Sequence, residues 1–398
     1  MNLATLSAGY LRARPLQTAL SLGLLALGVG VIAAALIVVA QLEATMGRDA
    51  RGIDLVVGAK GSPMQLILSG IYQLDAPTGN IPLADAMALK KSPMVRKAMP
   101  LAMGDSWRGF RIVGAGREYL DHYGAELKAG KYYEQPMEAV LGAEAASRSG
   151  AQVGSRFTGA HGLGAEGEEH AAPYTVVGIL SPTHSVLDRL VLTPIESVWA
   201  VHEHGEKHEA GKAGADDDRE VTVLLVQYAS PLAAATLPRA INAKSGLQAA
   251  SPAFETARLF RIVGAGIEAL RAFALVLIAA AGASVFIALY SALEERRYDL
   301  AIMRALGATP GRLFALLVLE GLVLAALGTA AGLLLGHLFA GALGLWMEAA
   351  QQPPVSARHF EAGELWLAAG ALLVGVLAAI PPAWRAYRTD VSRTLAAG

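Results

Sequence analysis

Four long apolar runs divide the chain, and the stretch between the first and the second follows a different rhythm. Residues 16–42 contain no charged side chain, and about 20 apolar residues are enough for a helix to cross the hydrocarbon core of a bilayer. Residues 263–293 carry only Glu268 and Arg271 near their start, residues 314–346 carry only Glu320 as a formal charge, and residues 365–384 carry none. This pattern predicts four transmembrane helices. A cleaved signal peptide describes the first run poorly, because the apolar core of such a peptide is only about 7–15 residues long.

Residues 43–262 alternate between apolar and polar positions in short pieces broken by Gly and Pro. Period-2 spacing predicts strands near residues 53–57, 110–113, 174–180, 190–192 and 220–227. Helical spacing appears at 83–90, 138–149 and 232–245, the last followed by a strand at 247–250. The expected fold class is therefore a membrane α-helical protein of four transmembrane helices, with a large α+β extracytoplasmic domain between helices one and two. Residues 159–171 and 202–218 offer almost nothing that a core would bury and read as insertions. The word Phe-Arg-Ile-Val-Gly-Ala-Gly occurs twice, at 110–116 and at 260–266. Its first copy lies among strands and its second leads into a membrane helix, so it reads as coincidence rather than as a duplicated module.

Basic residues set the topology, because Lys and Arg concentrate in short cytoplasmic flanks. Arg12 and Arg14 precede the first helix, Arg296, Arg297, Arg304 and Arg312 lie between the second and third, and Arg385, Arg388 and Arg393 follow the fourth. Arg358 alone marks the connection between helices three and four. The expected order is a cytoplasmic amphipathic segment 1–15, helix one at 16–42, the outer domain at 43–262 and helix two with its stalk at 263–293. A cytoplasmic segment 294–313, helix three at 314–346, an outer loop 347–364, helix four at 365–384 and a cytoplasmic tail 385–398 complete it.

Composition agrees with a bilayer. Of the 398 residues, 17% are charged, against roughly 25% in an ordinary soluble domain. A net charge of −1 and the lack of a basic stripe argue against a nucleic-acid partner. With no cysteine, the chain forms neither a disulfide nor a thiolate metal site.

The most informative connection is Glu294-Glu295-Arg296-Arg297-Tyr298-Asp299-Leu300-Ala301-Ile302-Met303-Arg304-Ala305-Leu306-Gly307-Ala308-Thr309-Pro310. A charged helix end leads into one or two amphipathic turns, Gly307 is a natural helix stop, and Pro310 opens the next helix. This stretch resembles the signature of the ABC-transporter permeases that include macrolide exporters, the lipoprotein-releasing permeases and the cell-division protein FtsX. In that family a Glu-Arg-Arg run leads into Leu-Arg-Ala-hydrophobic-Gly-Ala. The resemblance extends to the arginines ahead of helix one, to the four-helix layout with a large first outer domain of the MacB-like periplasmic kind, to Val176-Val177-Gly178-Ile179-Leu180 followed by Pro194, and to residues 385–395.

The resemblance implies a permease subunit, itself not an enzyme, of an ABC transporter in a bacterial cytoplasmic (inner) membrane, with both termini cytoplasmic and the large domain periplasmic. Two permease copies, as a homodimer or with a similar permease, would pair with two cytoplasmic ABC ATPase subunits. Residues 294–308 would form the coupling helix, with Glu294, Glu295, Arg296, Arg297, Arg304, Gly307 and Ala308 as the ATPase-coupling residues. Bound ATP and Mg would belong to the partner ATPase, since no Gly-x-x-x-x-Gly-Lys-Ser/Thr loop occurs here and Gly58-Ala59-Lys60-Gly61-Ser62 lacks its spacing. Mechanical transmission to the outer domain would then export, or extract from the outer leaflet, a lipophilic or peptide-like substrate. A regulatory transmitter that activates a periplasmic enzyme is an alternative within the same resemblance, and a periplasmic partner is compatible with either.

Further residues carry expectations of their own. Gly328, Gly332, Gly336, Ala340 and Gly344 recur every fourth residue along helix three, a small-residue face that admits a close helix neighbour; that neighbour is a second copy or another helix of the same chain. Glu320 and His337 are costly facing lipid, so Glu320 is expected to pair with Arg304 or Arg312, and His337 to sit as a hydrogen-bonded neutral imidazole between helices. Six of the nine histidines fall between His161 and His208, and His202, His204 and His208, close to Asp216, Asp217 and Asp218, suit zinc or another transition metal. A metal-handling membrane protein is thus a third reading. The spacing is not that of a His-Glu-x-x-His protease. Residues 64–71 form an amphipathic stretch that either contacts a partner or braces the stalk.

Overall fold

The computed structural model describes residues 15–162, 172–203, 219–244, 246–350, 352–353 and 355–388. The segment 1–14, the insertion residues 163–171 and 204–218 with His204 and His208, and the tail beyond Arg388 lie outside the described residues. In chain order the elements are α1 (Pro15–Asp49), β1 (Leu55–Ala59), α2 (Pro63–Gly70), β2 (Ile81–Pro82), α3 (Leu83–Lys90), β3 (Val95–Trp107), β4 (Phe110–Ala115), α4 (Arg117–His122), β5 (Leu127–Gly130) and β6 (Glu138–Leu141). Then follow α5 (Ala143–Ser149), β7 (Arg156–Phe157), β8 (Ala160–His161), β9 (Tyr174–Leu180), a 3-10 turn (Val186–Arg189), β10 (Leu190–Thr193), α6 (Ile195–Glu203), β11 (Glu220–Val221), β12 (Val223–Tyr228), α7 (Pro231–Lys244) and β13 (Leu247–Ala250). The chain closes with α8 (Pro252–Glu295), α9 (Arg297–Ala305), α10 (Pro310–Ala349) and α11 (Ala362–Tyr387).

Two compact units result: Met1–Leu42 with Val263–Gly398, and Glu43–Ile262. Helices α1 and α8 are each continuous through the boundary.

In the unit Glu43–Ile262 the described strands form a mixed sheet in the order β13-β1-β12-β3-β4-β10-β6-β9-β5, with β11 and β2 paired separately. Only β10 with β4 and β6 with β9 run parallel among these neighbours. Strand β9 keeps the expected alternation, every second residue buried. Strand β1 does not alternate, because both faces are covered: Leu55 and Val57 enter one apolar core, while Gly58 and Val56 face Leu66 and Gly70 of α2. Strands buried on both faces read as continuous apolar runs.

Residues 138–149, expected as one helix, split into β6 and α5. Val140 and Leu141 pair with β10, and the backbone of Gly142 passes so close to Leu187 O and Asp188 O that a Cβ would collide with them. The Glu138 carboxylate accepts from the backbone N–H of Glu134 (2.8 Å) and Gln135 (3.1 Å) and from Lys131 Nζ (2.9 Å). These bonds, the Glu134 amide first, hold its pKa below the ordinary carboxylate value and fix the strand's start. The repeated seven-residue word is a strand in its first copy and part of α8 in its second; sheet pairing on one side and an apolar helix on the other override identical local sequence.

Both long helices are tied into this unit by their ends. Asp49, the last residue of α1, accepts from Val186 N at 2.8 Å through Oδ1 and lies 3.9 Å from Arg189 Nη2, and its carbonyl accepts from Tyr123 Oη at 2.7 Å. Near the start of α8, Thr256 Oγ1 shares a 2.8 Å bond with Tyr72 Oη.

The other unit gathers the four described helices long and apolar enough to cross a membrane. Leu25, Val29, Ala274, Ile278, Ala325 and Ala371 form one of its cores. The glycine face of α10 is occupied by α1 of the same chain. A Cβ on Gly328 would stand 2.8 Å from Leu25, on Gly332 2.7 Å from Val29 and 2.8 Å from Ala26 O, and on Gly336 2.7 Å from Ala33 and 3.0 Å from Gly30 O. Gly344 meets the backbone of Val355. Within the chain the stripe packs against α1 and the connection after α10, one of the two neighbours the sequence leaves open. Gly321 and Gly375 give α10 and α11 a similar approach, with Gly321 2.6 Å from Ala379 Cβ on the same construction.

Candidate functional site

The connection between α8 and α10 is a helix of its own. Arg296, at φ −103 and ψ 12, interrupts the α-helical run after Glu295, and α9 starts at the next residue. Leu300 and Ala301 are buried, and Leu300 and Met303 join a core with Leu293, Leu313, Leu317, Ala383 and Ala386. Three residues four apart leave that core: Tyr298 is 52% exposed, Ile302 38% and Leu306 83%. Residues at i and i+4 lie on one helix face, so α9 turns one apolar edge inward and shows a second apolar edge outward.

The end of α9 is built to stop. Gly307 adopts φ +99, a left-handed conformation that glycine accepts without strain. Its N–H donates to Arg304 O at 3.1 Å and the Ala308 N–H to Met303 O at 2.9 Å, the two bonds of a Schellman termination. Thr309 is extended and Pro310 begins α10 at a position that needs no N–H.

The charged residues of this connection bind one another and the helices beside it. Glu294 pairs with Arg297 at 3.1 Å and with Arg385 of α11 at 3.8 Å, and Arg385 also lies 4.9 Å over the Tyr290 ring. Glu320 of α10 is paired with Arg296 at 3.6 Å, not with Arg304 or Arg312. The break at Arg296 turns that side chain toward α10, and Glu320 is buried where it arrives. Of the residues singled out in the sequence, Glu294, Arg296 and Arg297 thus act as internal braces, and Gly307 and Ala308 as the stop. Arg304 lies in the last turn of α9 and Glu295 closes α8. The exposed edge of Tyr298, Ile302 and Leu306 was missed; its i, i+4, i+8 spacing was the available signal, obscured by the apolar residues of the inner edge among them.

His337 has a partner: its Nε2 lies 2.9 Å from Glu364 Oε2 and its Nδ1 2.6 Å from Ala357 O. Among the described residues no group of three or more His, Asp or Glu side chains is placed to hold a metal. His202 lies in the last turn of α6.

The comparisons with known proteins cover most of the chain. The profile described as "MacB-like periplasmic core domain" matches residues 18–244, and that described as "FtsX-like permease C-terminal" matches residues 271–391. No curated protein matches the sequence. Among solved structures, the periplasmic region of MacB from Actinobacillus actinomycetemcomitans is 15% identical, with a TM-score of 0.34, over 53% of this chain and 95% of that one. The extracellular domain of the noncanonic ABC-type transporter YknZ from Gram-positive bacteria is 15% identical, with a TM-score of 0.30, over 50% of this chain and 98% of that one. Four apolar helices and a MacB-like periplasmic domain make this an inner-membrane protein with a periplasmic domain, and its family works with a cytoplasmic ABC ATPase. The chain belongs to the FtsX/MacB-like family of ABC-transporter permeases.

Proposed function

We propose that this chain couples ATP hydrolysis on a separate cytoplasmic ATPase to movement of its periplasmic domain, and so exports, or extracts from the outer leaflet, a lipophilic or peptide-like substrate. The observation that carries this reading is α9, a short helix stopped by Gly307 and braced through Arg296–Glu320 and Glu294–Arg297, with Tyr298, Ile302 and Leu306 left outward. An exposed apolar edge among charged residues suits docking of a protein partner. ATP and Mg belong to that partner, and this chain takes no chemical step. Helices α1 and α8, unbroken from the membrane unit to Asp49 and from Pro252, supply stiff elements along which a displacement is carried. At 44 residues and about 1.5 Å of rise each, α8 is ~66 Å long, about twice a bilayer core. In a homodimer, the second copy meets a surface other than the α10 stripe, which α1 already fills.

The test is purification of the tagged chain from its native membrane in mild detergent, with co-purified proteins identified and ATP hydrolysis measured. A stoichiometric ATPase is expected with the natural chain and its loss with Leu306→Glu, a change at a side chain that packs against little. Equal recovery of the ATPase with that variant overturns the docking role of α9.

A further inference from the structure

Both long helices enter the unit Glu43–Ile262 at one end of its sheet. The chain after α1 passes Arg51 and Gly52, at φ +72, into β1, and β13 leads into α8; β13 and β1 are neighbours at the start of the strand order. Strand β10 stands four places from β1, and with β6 and β9 it supplies a second apolar core that includes Phe110, Ile112, Leu141, Val176 and Val191. Along the ladder, a shift of α1 reaches β10 only by way of β12, β3 and β4.

Asp49 offers a shorter route. Its carboxylate, buried in the folded unit, accepts from Val186 N at 2.8 Å through Oδ1, and its Oδ2 lies 3.9 Å from the buried Arg189 Nη2. Val186 and Arg189 bound the 3-10 turn that runs directly into β10. The turn is braced from its other side: Leu187 O and Asp188 O lie against Gly142, between β6 and α5, and Gly142 N donates to Leu190 O at 2.9 Å. Asp188 in turn holds the loop ahead of it, accepting from Thr183 N and His184 N at 2.8 Å each. Removing one member of a buried ion pair leaves the other charge uncompensated, a strongly unfavourable state, so this contact keeps its geometry instead of yielding. A second grip lies beside it, where the Asp49 carbonyl accepts from Tyr123 Oη at 2.7 Å and the Arg51 carbonyl meets His122 Nε2 at 2.9 Å.

We propose that Asp49 is the positioning residue through which α1 carries its displacement into β10 and β6, the half of the sheet that neither long helix enters by chain. The inference rests on the coupling reading above, in which α1 moves. Through Asp49 the turn follows the end of α1, β10 follows the turn, and Gly142 passes the movement to β6 and α5. A contiguous set of packed and hydrogen-bonded groups of this kind is what mechanical coupling between distant parts requires. The half around β1 needs no such bridge, because the chain itself joins it to α1.

The chain has no cysteine, so pairs of nitroxide labels can be placed in the full chain, in lipid nanodiscs with its co-purified ATPase and with labelled copies diluted by unlabelled ones. Gly47→Cys, where an added Cβ meets nothing within 4 Å, marks the end of α1. Val153→Cys, 45% exposed, marks the half with β6 and β10, and Leu232→Cys, 71% exposed on α7, marks the half with β1. Distances are read by pulsed electron paramagnetic resonance without nucleotide and with ATP and vanadate. In the natural background the 47–153 distance is expected to keep one narrow distribution in both states. Asp49→Ala should widen it, already without nucleotide, while the 47–232 distance stays narrow. Asp49→Asn, whose amide oxygen still accepts from Val186 N, should fall between the two. A 47–153 distribution as narrow in Asp49→Ala as in the natural chain, an equal widening of the 47–232 distance, or an Asp49→Asn chain indistinguishable from Asp49→Ala each overturns the role of Asp49. The comparison without nucleotide needs no ATPase, so failure to recover that partner overturns the coupling reading alone.

Discussion

The two ends of the membrane unit are held by different means. At the outer end backbones lie against backbones: Gly332 and Gly336 of α10 against α1, and Gly344 against Val355, with Gln41, His337 and Glu364 bonding the connection directly. At the cytoplasmic end the connection is a separate helix, held by a small core and by ion pairs of 3.1–3.8 Å between long side chains. Interlocked backbones resist displacement, whereas the exposed pairs of Glu294 with Arg297 and Arg385 exchange partners at small cost. The cytoplasmic end is thus the more adjustable of the two, as the proposed docking role of α9 requires.

Five substitutions break or sharpen this contrast. Gly332→Leu should have the largest effect: its Cβ alone would sit 2.8 Å from a carbonyl of α1, and overpacking of this kind costs about 1–3 kcal/mol or more. A fall of many degrees in the thermal midpoint is expected, whereas Gly370→Ala, which meets nothing within 4 Å, should raise it slightly; equal midpoints would deny the interlocking. Gly307→Pro comes next, because proline fixes φ near −65° where the chain needs +99 and removes the N–H bonded to Arg304 O. A local cost of about 3 kcal/mol should abolish ATPase recovery while the four spans still insert, read by protease protection. Glu320→Ala removes the buried carboxylate that faces Arg296 and should lower stability by about 1–3 kcal/mol in urea unfolding followed by tryptophan fluorescence. Leu306→Glu should change stability by less than about 0.5 kcal/mol yet lose the partner.

The four spans were legible because lipid imposes a requirement of length and composition that local sequence meets by itself. The stop at Gly307 and the start at Pro310 were legible for a related reason: each is a backbone preference of a single residue. Partners were not. The sequence offered Arg304 and Arg312 for Glu320, since both lie nearby along the chain, but the break at Arg296 brings a third arginine in. By sequence pattern Glu364 stands at the edge of a loop, while in the fold it lies in the first turn of α11 and closes on His337, 27 residues back. The run Glu-Ala-Val-Leu at 138–141 is ambiguous by itself and became a strand because β10 and β9 lie on either side of it.

The seam between α1 and α10 also limits how those helices can travel. Glycines at 328, 332 and 336 receive Leu25, Val29 and Ala33, residues likewise four apart, so the two helices mesh like toothed racks. A slide of an ångström or two drives side chains onto backbone; the next seated position lies about one helical pitch away, ~5.4 Å. Through gradual displacements the pair behaves as one strut, and relative motion between its members comes in whole notches.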